Sequence, residues 1–136
     1  MFKLIRMNDS ATGTPDLINC RLQTGTNYTA GNAYVLYCCG LTRGVYRGPL
    51  YIACETTEEL GDDEYTSIKA YKVLPNMEFE AKCDPNCFDN VIVGTPLGIS
   101  NASEYTVLSA ANDDKIYFIV TEIINPSEYL VRVKAI

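Results

Sequence analysis

Apolar residues in this chain never keep helical spacing for long. They fall in short runs instead, and Gly, Pro, Asn or Asp ends each run at intervals of roughly ten residues, which is the pattern of an all-β chain. The clearest case lies inside Val73–Ser100. Met77, Phe79 and Ala81 alternate with Glu78, Glu80 and Lys82, so a strand there has one dry face and one wet face. Pro75-Asn76 turns the chain into it. A polar loop, Cys83-Asp84-Pro85-Asn86-Cys87, is expected to follow, then a short apolar strand, Asn90–Val93, stopped by Gly94-Thr95-Pro96.

The other runs extend the same grammar. Residues 2–7 read as a short strand or an extended arm, and Leu17–Gln23 as a second short strand. Between and after them, 9–15 and 24–32 are polar and rich in Thr, Gly and Asn. Residues 1–30 are therefore expected to form an N-terminal extended arm with short strands, and 31–136 a single β-barrel or β-sandwich domain. Ala33–Cys39 is continuously apolar and bounded by Gly31 and Gly40, as for a central strand buried on both faces. Leu50–Cys54, Thr66–Leu74, Leu97–Ser100, Tyr105–Ala110 and Lys115–Ile124 are the remaining strands, with turns at Asn101-Ala102-Ser103 and Ala111–Asp114. The closing strand, Glu128–Ile136, puts Tyr129, Val131, Val133 and Ala135 on one face and Arg132 and Lys134 on the other.

Charge narrows the partners. The formal net charge is −6, and the only basic cluster outside the strands is Arg43 with Arg47, so no basic stripe tracks a phosphate backbone and direct nucleic-acid binding is not expected. No run approaches the ~20 apolar residues that cross a bilayer, so no membrane partner is expected. Met1–Arg6 has no apolar run behind it and no small-residue cleavage site, so the chain is expected to stay in a reducing cytoplasm. In that setting the triplets Asn8-Asp9-Ser10, Asn27-Tyr28-Thr29 and Asn101-Ala102-Ser103 are polar loops and not glycosylation sites.

Chemistry is the weakest expectation. There is no His among the 136 residues, which removes the usual general base and the commonest metal ligand. No phosphate-cradling glycine motif occurs. Cys20, Cys38, Cys39 and Cys54 sit in apolar runs as small hydrophobes. Cys83 and Cys87 form a C-x3-C pair without a second knuckle, so plain exposed thiols rank ahead of a disulfide and of a metal site. Glu55–Tyr65 holds six carboxylates but lacks the spacing of a calcium loop, so it reads as solvated. Glu78, Glu80, Glu122 and Glu128 read as surface charges. The sequence thus predicts no catalytic residues, no metal and no cofactor.

Several short features resemble the small decoration (cement) proteins of tailed bacteriophages. They are Asn32-Ala33-Tyr34-Val35-Leu36 with Gly40, Pro49-Leu50-Tyr51-Ile52-Ala53, Val93-Gly94-Thr95-Pro96-Leu97, and the closing pair Lys115–Val120 and Tyr129–Val133. The likeness runs from Ala33 to near the end, and within it the cysteines and the acidic Glu55–Tyr65 stretch depart from the family's pattern. The resemblance implies a virion structural protein on the exterior of an icosahedral capsid, assembled in the host cytoplasm. Its partners would be the major capsid protein and further copies of itself, as a trimer or another homo-oligomer, bracing the expanded shell. The contact residues expected on that reading are Phe2, Leu4 and Ile5 in the arm, by strand addition to a capsid sheet edge, and Arg43 and Arg47 in their loop. The other reading is a generic β-barrel module that binds protein, peptide or glycan, a tail or baseplate component included.

Overall fold

The computed structural model describes residues 1–7, 14–21, 28–37, 40–42, 48–57, 67–100, 107–111 and 116–136. Among the described residues eleven strands form two antiparallel sheets. The first sheet holds β1 (Lys3–Arg6), β7 (Glu78–Lys82), β8 (Pro96–Ser100), β9 (Val107–Ala110), β10 (Phe118–Asn125) and β11 (Leu130–Ala135), in the order β1-β7-β11-β10-β8-β9. The second holds β2 (Ile18–Arg21), β3 (Ala33–Tyr37), β4 (Gly40–Thr42), β5 (Leu50–Ala53) and β6 (Ser67–Lys72), in the order β2-β6-β5-β3-β4. The all-β expectation holds. Of the two architectures left open, the structure is sandwich-like rather than a closed barrel.

The core lies between the sheets. Phe79, Ala81, Val131, Val133, Ala135, Phe118, Val120 and Leu97 come from the first sheet and meet Ala33, Val35, Leu50, Ile52 and Tyr71 from the second. Alternation produces this directly. In β7 the buried Phe79 and Ala81 interleave with Glu78, Glu80 and Lys82, and in β11 Val131, Val133 and Ala135 interleave with Leu130, Arg132 and Lys134. The central strands of the second sheet are buried on both faces, as their unbroken apolar runs require. The residues of β3 and β5 not used above, Tyr34, Leu36, Tyr51 and Ala53, join Cys20, Tyr28, Leu41, Ile68 and Ala70 in a second cluster on the far side. There the Tyr28 hydroxyl donates to the Leu41 carbonyl at 2.5 Å, which lets a phenol sit at 1 % exposure.

Four expectations need correction. The described part of residues 1–30 is built into the sheets: β1 pairs with β7 and β2 pairs with β6. Phe2 is 4 % exposed, stacks on Phe118 at 5.5 Å and meets Phe79 edge-on at 6.0 Å. Its N–H donates to Gly31, so the N-terminal strand also ties the two sheets together. Asn90–Val93 is not a strand, because the chain spends those residues on a tight turn described below. The Cys83–Cys87 segment is not an open loop either. Asp84 caps a helical turn, α1 (Pro85–Phe88), by accepting from the Asn86 N–H, and Cys83 is buried at 1 %. Tyr129 is not part of the closing strand. It takes a left-handed conformation, φ 58°, at the end of the 3-10 turn Pro126–Glu128. The acidic stretch beyond Thr57, Cys38 and Cys39, the turn at Asn101–Ser103, the loop at Asn112–Asp114, the polar stretches 8–13 and 22–27, and Arg43 and Arg47 lie outside the described residues.

Candidate contact surface

Three surface features arise from this frame. The first is the outer face of the six-stranded sheet. Register places Lys3 and Arg132 on either side of Glu80, and Arg6 and Lys134 on either side of Glu78. Arg132 reaches Glu80 at 2.9 Å and Glu122 at 3.6 Å, and Arg6 reaches Glu78 at 3.4 Å. The hydrogen bond from Arg132 to Glu80 is the main reason its guanidinium is held still further above its ordinary value. Exposed pairs of this kind contribute about 0–1 kcal/mol each, so their chief effect here is to neutralise the two carboxylates of β7. Lys3 and Lys82 carry no ion pair among the described residues and leave a local positive excess on an acidic protein.

These two lysines rim a pocket of about 410 Å³, lined by Met1, Lys3, Glu80, Lys82, Val107 and Leu130. The topology explains the opening. Along one edge of β7, β1 runs out at Met1, opposite Lys82, and one residue later Cys83 bridges to Leu108 of β9. The pocket is the seam between the two neighbours. Leu130, opposite Lys82 on β11, and Val107 supply its apolar walls.

The second feature is the turn Ile92-Val93-Gly94-Thr95. Thr95 N–H donates to the Ile92 carbonyl, the Ile92 N–H donates to Thr95 Oγ1, both at 3.0 Å, and the Gly94 N–H donates to Val120 at 2.8 Å. With Gly94 at φ +92° this is a type II turn. It holds Ile92 at 70 % and Val93 at 62 % exposure on a fixed backbone. Asp89 and Asn90, both exposed, precede it, and α1 braces its base through Phe88, whose ring meets Tyr129 edge-on at 5.4 Å. The third feature is β2, the edge of the second sheet, where Leu17 and Ile18 are about half exposed beside the buried Cys20.

The expected contact residues fare unevenly. Phe2 is core and presents no contact surface. Leu4 faces inward opposite Phe79 and packs on the core, half buried. Ile5 sits at the bulge between Leu4 and Arg6, also half buried. The turn at Ile92 was hidden in the sequence because a short apolar run, Val91-Ile92-Val93, reads equally as a strand. The glycine at its third position was the available signal. The pocket leaves no sequence trace, since Met1 and four strands distant in the chain, β1, β7, β9 and β11, assemble it.

The four described thiols are held in their neutral form. Burial, reinforced by Cys87 and Asp84, pushes the Cys83 thiol up to about 12. Burial likewise raises Cys20, Cys54 and Cys87, so each stays a neutral thiol and a weak nucleophile near pH 7. Among the described residues no three Cys, Asp or Glu side chains converge as a metal site would require. No family model, no curated protein and no solved structure matches this chain.

Proposed function

We propose that the protein is a virion structural protein that binds the outer surface of an icosahedral phage capsid and stabilises the expanded shell. The observation that carries this reading is the exposed aliphatic pair Leu17 and Ile18 where the chain enters β2, an edge strand whose hydrogen-bonded ladder is made to β6 and whose other side approaches β4. An edge of this kind is a template for strand addition, with main-chain hydrogen bonds supplying affinity and the exposed aliphatic pair supplying fit. The sequence resemblance to decoration proteins names the partner that such an edge would meet, the major capsid protein. Repetition over a symmetric lattice would make a modest single contact sufficient.

The test is sedimentation with expanded, undecorated capsids. Wild-type protein is expected in the pellet, and Ile18→Asp in the supernatant with unchanged circular dichroism. Wild-type protein left in the supernatant sinks the capsid assignment. The pocket favours a second reading, a general β-sandwich binding module, and that reading takes over if the protein ignores capsids.

A further inference from the structure

The pocket and the Ile92 turn are complementary in chemistry. The turn offers two aliphatic side chains on a preorganised backbone, and an exposed carboxylate, Asp89, stands three residues ahead of Ile92 in the chain. The pocket offers aliphatic walls, Leu130 and Val107, beneath two exposed ammonium groups, Lys3 and Lys82. Asp89, Lys3 and Lys82 have no ion-pair partner among the described residues. We propose that the Ile92–Val93 turn of one copy docks in the Lys3–Lys82 pocket of a second copy, so that this chain self-associates through two different surfaces.

Three arguments support a second copy as the occupant. A pocket of 410 Å³ has room for the two aliphatic side chains. Charge complementarity selects a segment that brings a carboxylate, and Asp89 precedes the turn on the same exposed stretch. The turn is already rigid, so docking loses little conformational entropy. Because donor and acceptor surfaces differ, the contact is head-to-tail, and it builds a ring where the rotation closes and an open chain where it does not. One such contact falls well short of the ~1,200–2,000 Å² of a stable standard interface. Association in solution is therefore weak, reversible and dependent on concentration. The inference stands apart from the capsid role, since it needs no capsid.

Sedimentation velocity over rising protein concentration tests it. Wild-type protein is expected to shift from monomer to oligomer. Ile92→Asp, which spoils the turn, and Lys82→Glu with Leu130→Asp, which spoils the pocket, should each weaken association about tenfold or more. Mixing the two variants should restore a hetero-association, because each supplies the surface the other lacks. Ile92 and Lys82 are exposed and Leu130 is half-buried, and circular dichroism reports whether the fold survives in each variant. A wild-type protein that stays monomeric at every concentration overturns the proposal, as do variants that associate like wild type or fail to complement. If the wild type is monomeric and the pocket variant alone loses capsid binding, the pocket serves a partner's acidic segment and the second-copy assignment falls.

Discussion

Phe2 shows how much one side chain decides. Phe2 opens the short run 2–7, which reads as a strand or an extended arm, and the polar stretch 9–15 behind it is why it groups with an arm. In the structure it completes a trio of phenyl rings with Phe79 and Phe118, whose own rings meet edge-on at 5.8 Å. Removing a ring from so packed a site loses its transfer energy and leaves a cavity, so Phe2→Ala should destabilise the fold by about 3–5 kcal/mol. Urea denaturation measures this, and a change below about 1 kcal/mol would return Phe2 to the arm. Met77, Phe79 and Ala81 were legible as core because their polar neighbours mark the period. Phe2 was not, because burial there depends on the Gly31 backbone and on rings more than seventy residues away in the chain.

At the scale of elements, strands read well and connections did not. The alternation in β7 and β11 and the unbroken runs in β3 and β5 specified their own burial. Asn90–Val93 misled because a short apolar run carries no period, and only the hydrogen bonds to Thr95 and Val120 tell a turn from a strand. That turn rests on Gly94. Its φ of +92° is readily open to glycine, while a Cβ there would meet nothing within 4 Å. Gly94→Ala therefore suffers from the backbone alone, and should lower stability by about 1 kcal/mol or somewhat more. Thermal unfolding checks this. An unchanged midpoint would mean that the turn relaxes freely, and would also weaken the case for Ile92 and Val93 as a preorganised contact.

The whole molecule has a pH signature of its own. Cysteines and tyrosines are buried in both clusters, and every resolved shift among them is upward. Burial raises Cys83 most clearly, from 9.0 to about 12, and moves Cys20, Cys54, Cys87, Tyr51 and Tyr71 the same way. The sign follows from linkage. The folded state keeps these protons, while the unfolded chain releases thiol protons near its ordinary value, so above that point the native state binds more protons. For Cys83 the contribution is fully present below about pH 9 and is lost as pH climbs toward 12, at about 1.4 kcal/mol per pH unit for the proton retained. Denaturant midpoints measured from pH 7 to 11 should accordingly hold steady and then fall above about pH 9, the ordinary thiol value. Cys83→Ala removes the largest thiol contribution, so its midpoint should start lower at neutral pH, through the lost packing, and fall less steeply in alkali. A variant curve parallel to wild type would show that Cys83 ionises alike in both states. The proton linkage would then have to come from the remaining thiols and phenols of the two clusters.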